Sequence, residues 1–402
     1  MNKEGWQTST LGEACEVMNG GTPKTGVPEY WDGSHLWITP AEMGKRLSPY
    51  VSDTERKITD SGLRDSSARM LPPNSVILSS RAPIGHLVIN TEPMGTNQGC
   101  KGLIPRSQLQ YKFLYYYLSS IVDLLNLLGT GATFKELSGG KLKEVTIPVP
   151  PLPEQQRIVG ILDEAFGGIA TAKANAAKNL QNARALFESH LQSVFIQLGK
   201  GWVETTLGAE IDLLAGFAFK STKYTGSDEG IRLLRGDNIV QGLLRWDDAK
   251  RWPESDTSEY SRYQLRDGDV VLAMDRPWVK AGLKHAMISK SDLPCLLVQR
   301  TARLRCGPKI ENRFLMHLIG CAEFTHHILG VQTGIGVPHI SGQQIADFRF
   351  LRPPIAEQRR IADNLESVRK ETHRLASIYQ RKLAALDELK KSLLHQAFNG
   401  NL

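Results

Sequence analysis

The chain has 402 residues, 41% of them hydrophobic and 23% charged, with a formal net charge of +7 at pH 7. This composition is ordinary for a folded protein and excludes a wholly disordered chain, and the length favours two or three domains. No apolar run approaches the roughly 18–20 residues of a membrane span. The N-terminus has no apolar signal core, which predicts a cytoplasmic protein. The five cysteines form no CxxC pair, so neither a zinc ribbon nor a disulfide framework is expected.

An internal repeat organises the sequence. The opening Gly-Trp…Leu-Gly at 5–12 recurs at 201–208, an offset of 196 residues. The junction Pro-Pro-x-x-Glu-Gln at 150–155 recurs at 353–358, an offset of 203 residues. Thr-Gly and Ser-Gly pairs precede both junctions, at 130–139 and at 333–342. Each half therefore contains an opening, a variable stretch, a proline-rich junction and a charged tail.

The variable stretches have the local patterns of strands and helices in both halves. Short β-branched and apolar runs between Gly, Pro, Asn and Asp clusters predict strands. They include 37–40 and 76–81 in the first half, which correspond to 233–236 and 270–275 in the second. Helical apolar spacing predicts helices over 109–128 and 312–330. Each variable stretch is therefore expected to fold as a mixed α and β domain.

The two tails carry matched helical seams. Apolar or small residues recur at a 4-3-4-3-4 spacing, which is typical of helices that pair as a coiled coil. In the first tail they are Ile158, Leu162, Ala165, Ile169, Ala172 and Ala176. In the second tail they are Ile361, Leu365, Val368, Thr372, Leu375 and Tyr379. We expect two long helices that pair antiparallel; the alternative is two surface helices that each pack on their own domain.

These patterns together predict the architecture. The fold class is α+β, with two similar mixed α/β domains separated by an antiparallel two-helix coiled coil, in a pseudo-twofold and nearly cyclic arrangement. The first domain is expected at 1–150 and its helix at 151–199. The second domain is expected at 200–353 and its helix at 354–402.

Catalytic signatures are missing or weak. Residues 20–25 lack the GxxxxGK[ST] spacing of a phosphate loop and are interpreted as a turn. The Glu-x-Lys triplets at 55–57 and 388–390 resemble part of some nuclease sites, but solvated charges are the favoured interpretation. Neither an Asn-Pro-Pro-Tyr motif nor a glycine-rich methyl-donor loop is present, and His317, His326 and His327 lack zinc-site spacing. We therefore predict no catalytic residue, metal site or cofactor on this chain.

A duplicated domain held apart by paired helices suits duplex DNA as a target. Half-sites along a double helix have a fixed spacing and orientation, so two tethered domains are able to read them together. Because the two halves have diverged, the expected DNA site is bipartite and not palindromic. The modest excess of positive charge permits a polyanionic partner.

The repeated motifs resemble those of a known family. The Gly-Trp…Leu-Gly openings, the Thr-Gly…Ser-Gly pairs with Pro-Pro-x-x-Glu-Gln-x-x-Ile, and the ending at 392–400 strongly resemble the specificity subunit of type I restriction–modification enzymes. The resemblance covers the whole chain. One departure is Ala356, where the first copy has Pro153.

The resemblance carries expectations about function and partners. It implies a non-catalytic subunit that recognises double-stranded DNA, with a target-recognition domain in each half and spacer helices between them. It also implies that two modification (methyltransferase) subunits dock on the helices and that restriction (translocase and nuclease) subunits join the complex. The methyl donor and ATP are then expected on those partners, so this chain needs no cofactor and no membrane.

Loop cations are the candidate DNA-binding residues, because Lys and Arg neutralise phosphates and Arg also pairs with guanine. In the first half they are Lys24, Lys45, Arg46, Arg81 and Lys135, and in the second Lys220, Arg235, Arg276, Lys280 and Lys284. Arg81 and Arg276 are expected at corresponding exits from a strand into a loop. A second shared loop is marked by Gly131 and Thr133 in the first half and by Gly334 and Val337 in the second. For any single cation, an ordinary solvated charge is the alternative.

Two other classes of function stay open at this point. One is a DNA methyltransferase with its own catalytic site, against which the missing motifs argue. The other is a duplicated protein-interaction adaptor without any nucleic-acid role. Salt-dependent retention on duplex DNA distinguishes the adaptor from a DNA-binding subunit.

Overall fold

The structure is a computed structural model and describes residues 5–131, 135–196, 199, 201–225, 230–254, 258–334 and 337–402. The chain divides into two compact units. The first comprises residues 1–177 together with 380–402, and the second comprises residues 178–379. Each of the two long helices therefore contributes one part to each unit.

The first variable stretch forms the body of the first unit. Its strands are β1 (Gln7–Thr10), β2 (Cys15–Asn19), β3 (Trp31–Ile38), β4 (Tyr50–Val51), β5 (Arg56–Ile58), β6 (Val76–Ser80), β7 (Ile84–Asn90), β8 (Met94–Thr96), β9 (Cys100–Pro105) and β10 (Thr146–Val149). Its helices are α1 (Leu11–Ala14), α2 (Pro40–Met43), α3 (Asp60–Arg64), α4 (Tyr111–Ser120), α5 (Val122–Leu128) and α6 (Gly139–Glu144). One sheet has the order β2-β9-β6-β7-β4, a second has β5-β3-β8, and β1 pairs with β10. The β3–β8 and β4–β7 pairs are parallel, and the others are antiparallel.

Strand β6 is buried on both faces. Val76 and Leu78 belong to an apolar cluster with Phe113 of α4, whereas Ile77 belongs to a different cluster with Ile38 of β3. Side chains alternate between the two faces of a strand. A strand with a core on each side therefore requires the continuous apolar run that the sequence shows at 76–78.

The first long helix and the second variable stretch follow. Helix α7 spans Leu152–Ile196. The strands of the second unit are β11 (Val203–Thr206), β12 (Ile211–Ala215), β13 (Ile231–Leu234), β14 (Arg251–Trp252), β15 (Val270–Ala273), β16 (Trp278–Val279), β17 (Gly282–Leu283), β18 (His285–Met287), β19 (Cys295–Leu297), β20 (Thr301–Cys306) and β21 (Arg349–Arg352). Its short helices are α8 (Leu207–Glu210), α9 (Asn312–Gly320), α10 (Ala322–Val331) and α11 (Gly342–Ala346). The second long helix, α12, spans Ile355–Phe398.

The second unit repeats the plan of the first. Its larger sheet has the order β12-β20-β15-β18, its smaller sheet has β14-β13-β19, and β11 pairs with β21. Strand β15 is again buried on both faces, with Val270 and Leu272 in one cluster and Val271 and Ala273 in another. The extra pair β16–β17 has no equivalent among the described strand pairs of the first unit. The prediction of an α+β protein with two similar mixed domains is confirmed.

The predicted helices at 109–128 and 312–330 are each divided in two. Ile121 leaves the helical conformation between α4 and α5. Cys321 is extended between α9 and α10, and its sulfur accepts a hydrogen bond from the Phe324 N–H as the cap of α10. Among the described residues no single helix is long and apolar enough to cross a membrane; the pair α9 and α10, bent by 59°, meets that test by length and composition only.

The long helices run antiparallel within the first unit. Arg157 near the start of α7 donates to the carbonyl oxygen of Leu402 (2.7 Å), and Lys173 pairs with Asp387 of α12 (2.5 Å). The two helices therefore run in opposite directions where they contact each other.

The second unit has the same pairing between the other parts of the two helices. His190 of α7 contacts Asn364 of α12 (2.5 Å). Phe195 and Ile361 pack against the same apolar cluster. The expected antiparallel pairing of the two helices is confirmed within each unit.

Every predicted seam residue is buried or half-buried. Ile158 and Leu162 belong to the main apolar cluster of the first unit, which also contains Leu394, Ala397 and Phe398 of α12. These two seam residues thus pack in the core of the domain as well as near the partner helix. The assignment of each seam residue to helix pairing stays a prediction.

The repeated sequence motifs are structural anchors. Ser138 and Ser341 accept hydrogen bonds from backbone N–H groups as the caps of α6 and α11. The Leu207 N–H donates to the Phe348 carbonyl oxygen (2.8 Å), which holds α8 against the chain that follows α11. A Cβ at Gly208 would lie 2.8 Å from Cβ of Ala346, so only glycine allows this approach. Short helices that carry few apolar side chains are held in place by such caps and close contacts.

A fully buried glutamine fixes the start of each long helix. The Gln155 amide donates to the carbonyl oxygens of Gln108 and Pro150 (both 2.8 Å) and accepts from the Gln110 N–H (2.8 Å). Gln358 makes the same three bonds in the second unit, to Lys309, Pro353 and Glu311. The repeated Glu-Gln of the junction therefore ties the helix to the segment before α4 or α9.

We expect Gln155→Ala to lower the free energy of unfolding of the first unit by about 2–4 kcal/mol, because it leaves buried backbone groups without partners. Urea unfolding monitored by circular dichroism measures the change. The matched control is Gln156→Ala, since the neighbouring Gln156 side chain is exposed. Equal stability of the two variants would show that the buried amide has no structural importance.

Candidate nucleic-acid interface

Four loop segments of the first unit meet where β6 ends. The Ser80 N–H donates to the Gly99 carbonyl oxygen (2.7 Å), and the Leu137 N–H donates to the Ser80 carbonyl oxygen (2.8 Å). The Gly20 N–H donates to the Cys100 carbonyl oxygen (3.1 Å). We call segments 20–24, 81–83, 97–99, 130–131 and 135–136 the first loop face.

Gly20 is required by the close approach of two of these segments. A Cβ at Gly20 would lie 2.0 Å from the Asn97 carbonyl oxygen, and no side chain fits there. The Asn97 amide also donates to the Thr22 hydroxyl (3.0 Å), and Thr22 bonds to the Gln98 side chain. The glycine pair at 20–21 therefore serves this contact, which agrees with its interpretation as a turn.

The second unit has the same hydrogen bonds at equivalent positions. The Met274 N–H donates to the Arg300 carbonyl oxygen (2.8 Å), and the Ile340 N–H donates to the Met274 carbonyl oxygen (2.9 Å). A Cβ at Gly216 would lie 2.0 Å from the Val298 carbonyl oxygen, as at Gly20. We call segments 216–220, 275–277, 298–300, 333–334 and 337–339 the second loop face.

The backbone hydrogen bonds that the two loop faces have in common form a shared frame. The charged side chains on this frame differ between the two units. Arg81 lies 3.8 Å from Glu136 in the first loop face. The equivalent backbone positions in the second are Asp275 and His339, whose side chains meet at 2.6 Å, and Arg300 lies 3.5 Å from Asp275. One frame thus presents a cation in the first unit and a carboxylate in the second at the same position.

Arg81 and Arg276 occupy neighbouring positions of the frame. Ala82 and Arg276 both have a left-handed backbone, at φ +49° and φ +45°. Arg276 is thus equivalent to Ala82, and Arg81 is equivalent to Asp275. Arg276 precedes its proline directly whereas Arg81 precedes Pro83 by two residues, and this difference explains the displacement.

Cysteine thiols act as nucleophiles in the thiolate form, and metal sites need several His, Cys, Asp or Glu side chains close together. Burial raises the pKa of every cysteine thiol to about 12, so the thiols stay protonated near neutral pH. Within the described ranges no group of three or more His, Cys, Asp or Glu side chains is placed to hold a metal ion.

Comparisons with known proteins agree on one family. Residues 3–179 match the family model for the type I restriction modification DNA specificity domain. The MjaIX specificity subunit of Methanocaldococcus jannaschii is 31% identical over 254 residues, 59% of either chain, and the MjaVIII specificity subunit of that organism is 22% identical over 99% of this chain and 93% of its own. Residues 3–179 therefore match the specificity domain of this family, and the chain is similar to type I restriction enzyme specificity subunits.

Other relatives match in part. The EcoAI specificity subunit of Escherichia coli is 35% identical over half of this chain, and the match spans 34% of that relative. The chain thus covers between one third and three fifths of the length of the MjaIX and EcoAI relatives.

Two solved structures share the fold. A chain in a study of complex assembly and conformational transition of the type I R-M system has a TM-score of 0.79 at 19% identity, with 99% of this chain and 98% of that chain covered. The HsdS subunit from Thermoanaerobacter tengcongensis has a TM-score of 0.65 at 19% identity, with 99% and 97% covered. At these identities the likeness shows the fold alone.

The structure brings some of the predicted DNA-binding residues together on the loop faces. Lys24, Arg81, Gly131 and Lys135 lie on the first, and Lys220, Arg276, Gly334 and Val337 lie on the second; all are exposed except the half-buried Arg81. Thr133 falls outside the described residues. The assignment of any of these residues to DNA binding stays a prediction.

Lys45 and Arg46 lie apart from the first loop face, at the end of α2. Lys45 pairs with Glu55 (3.3 Å). The half-buried Arg46 guanidinium binds Glu42 and the Asp53 carbonyl oxygen. Arg46 is thus held by contacts within the domain.

Arg235 and Lys284 are both close to Asp237. Arg235 pairs with Asp237 (2.9 Å). Burial lowers the pKa of Lys284, Asp237 opposes that shift, and the nearby cations Arg276 and Arg245 add to it. Lys280, in the turn between β16 and β17, is exposed.

Sequence reasoning missed the amide side chains of the loop faces. Gln98 and Gln299 are exposed and occupy equivalent positions in the turns before β9 and β20. Asn and Gln pair with adenine through two hydrogen bonds. The available signal was the polar Asn-Gln-Gly and Gln-Arg sequence directly before β9 and β20, but neither positive charge nor the shared glycine loop pointed to these amides.

We expect Gly20→Ala to lower the free energy of unfolding of the first unit by about 1–3 kcal/mol, because the new methyl group displaces the turn at 97–99. Thermal unfolding measures the loss, and amide hydrogen exchange at 97–99 locates it. Gly26→Ala is the matched control, since a Cβ at Gly26 meets no heavy atom within 4 Å. An equal change in both variants would contradict the role assigned to Gly20.

Proposed function

We propose that the chain is the non-catalytic DNA-recognition subunit of a type I restriction–modification system. In this proposal it binds a bipartite and asymmetric site in double-stranded DNA, with one loop face on each half-site. The supporting observation is that one hydrogen-bonded frame occurs in both units with different side chains on it. A shared frame with changed contacts is what two related domains need to read two different half-sites.

The loop faces supply two kinds of contact in this proposal. Exposed cations such as Lys24 and Lys220 neutralise phosphates, which gives affinity that falls steeply as salt rises. Gln98, Gln299, Arg81 and Arg276 carry the planar groups that pair with base edges. At 3.8 Å the Arg81–Glu136 contact is longer than a direct hydrogen bond, so little energy opposes its exchange for a guanine.

We assign the parts of the chain to these tasks by their predicted bounds. Residues 1–150 and 200–353 are the target-recognition domains, and residues 151–199 and 354–402 are the spacer helices. The spacer helices set the number of base pairs between the half-sites and dock two modification subunits, and restriction subunits join this complex. The methyl donor and ATP bind to those partners.

The two alternatives receive no support from the comparisons. The MjaIX, EcoAI and MjaVIII relatives are each named as a specificity subunit of a type I restriction enzyme.

Exchange of one domain tests modular recognition. Residues 1–150 are replaced by the corresponding domain of a relative, and the hybrid is expressed with the modification subunits. We expect one half of the methylated sequence to change and the other half to stay, because each loop face reads its own half-site. Mapping of methylated bases across cellular DNA gives both sequences.

The matched control is the reciprocal exchange of residues 200–353, which should change only the other half. A hybrid that changes both halves, or a wild-type complex that methylates no defined sequence, would contradict the proposal. Retention of the wild-type chain on duplex DNA, with release as salt rises, separately excludes an adaptor without a DNA role.

A longer pair of spacer helices should widen the gap between the half-sites. Inserting seven residues after Ala177 in α7 and seven before Gln380 in α12 keeps the 3.5-residue seam and lengthens each helix by about 10 Å. At about 3.4 Å per base pair we expect the gap to grow by roughly three base pairs.

Methylation mapping gives the new gap. The control is a variant with the insertion in α7 only, which breaks the match between the helices and should lower activity without a defined new gap. An active double-insertion variant with the original gap would disprove the spacing role of the helices.

A further inference from the structure

The connection that leaves β15 is longer than its equivalent in the first unit. Leu78 of β6 pairs with Leu87 of β7. The equivalent Leu272 of β15 pairs with His285 of β18, so the chain between the paired residues is four residues longer in the second unit. The extra length forms the antiparallel pair β16–β17, with Trp278 opposite Leu283. We call residues 276–284 the basic hairpin.

The basic hairpin is anchored at its base. The Lys284 N–H donates to the Pro277 carbonyl oxygen (2.8 Å), and the Ala273 N–H donates to the Lys284 carbonyl oxygen (3.0 Å). Leu283 is buried in the main cluster of the second unit. The Gln241 amide donates to the Gly282 carbonyl oxygen (3.2 Å) and holds the returning strand. The position of the hairpin is therefore fixed by the core and not by the solvent-exposed side chains.

Apolar side chains at and around the hairpin are exposed. Trp278 is 42% exposed and Val279 is 38% exposed. Leu243, two residues after Gln241, is 68% exposed. The shorter connection of the first unit has no tryptophan, and its Ile84 is buried in the core. An exposed tryptophan on a longer loop is thus a feature of the second unit.

The charges around Trp278 favour a polyanion. Residues 276–284 contain Arg276, Lys280 and Lys284 and no acidic residue. Arg276 belongs to the second loop face, so the hairpin continues directly from the surface proposed to face DNA. An exposed apolar patch by itself marks a protein or a nucleic-acid partner equally well. Three cations on one nine-residue hairpin favour the nucleic acid.

We infer that Trp278 inserts into the base stack of duplex DNA at the half-site read by the second unit. Many architectural DNA-binding proteins insert an apolar side chain between base pairs beside cations that hold the phosphates, which unstacks one step and bends the duplex. Arg276, Lys280 and Lys284 then hold the phosphates on either side of that step. This inference rests on the proposed function and adds a deformation of the DNA in one half-site only.

The test compares Trp278→Ala and Trp278→Phe in the full chain with its modification subunits. The probe is a duplex with the methylation-mapped site and the fluorescent adenine analogue aminopurine placed in turn along the half-site of the second unit. For the wild type and for Trp278→Phe, which keeps an aromatic ring, we expect higher fluorescence at one base step. Trp278→Ala should lose that signal and bind the site about 10- to 100-fold more weakly.

Two controls separate insertion from general effects. Leu329→Ala removes another exposed apolar side chain of the second unit, on α10, and should bind as the wild type does. A random duplex of equal length should bind to Trp278→Ala within about twofold of the wild type, because the cations that supply non-specific affinity remain.

Three outcomes would overturn the inference. If Trp278→Ala binds the site and gives the same fluorescence as the wild type, the ring stays outside the base stack. If Trp278→Ala no longer binds the modification subunits but keeps its DNA affinity, the hairpin contacts protein. A wild-type complex that does not prefer its mapped site over the random duplex overturns the proposed function, and this inference with it.

Discussion

The end of the central strand determines where the loop faces form. β6 and β15 are buried on both faces, so the core allows no change in their position or register. The backbone groups of Ser80 and Met274, just at or beyond the strand ends, then bind the turn before the next strand and the loop before α6 or α11. Hydrogen bonds between backbone groups do not depend on side-chain identity. This arrangement explains how the same loops meet in two units whose sequences have diverged.

Not every position of the loop faces is free to change its residue type, and two glycines show this. Gly20 and Gly216 sit where a Cβ would meet a carbonyl oxygen at 2.0 Å, so these positions cannot vary. Arg81 and its equivalent Asp275 project from the frame and differ in charge. The frame therefore separates residues that hold the loops together from residues that are free to change the surface. In the basic hairpin the length of a loop changes as well, between strands whose pairing is preserved.

Sequence analysis predicted the duplication, the central strands and the two long helices because each leaves a periodic or repeated pattern. It did not predict the breaks at Ile121 and Cys321, because the apolar spacing continues through both positions. The buried amide of Gln155 was also missed, since a glutamine next to Glu154 at a helix start looks like an ordinary polar residue. Its three backbone partners lie about 45 residues before it or at the junction, and only the folded chain brings them together. The candidate loop cations were identified by type, but their grouping depended on which loops meet.

The core of the first unit also depends on the end of the chain. Phe398 of α12 packs edge-on against Phe113 and Tyr117 of α4, with ring centroids 5.2 Å away in each case. Leu394 and Ala397 belong to the same buried cluster. A chain that stopped at residue 379 would leave these aromatic rings without their apolar cover, at a cost of several kcal/mol for the side chains involved. The first unit is therefore complete only when the whole chain has been made, although its own sheet strands lie within the first 150 residues. Segments from both sides of the second unit in the sequence therefore share the core of the first unit, and the second unit lies between them in the sequence.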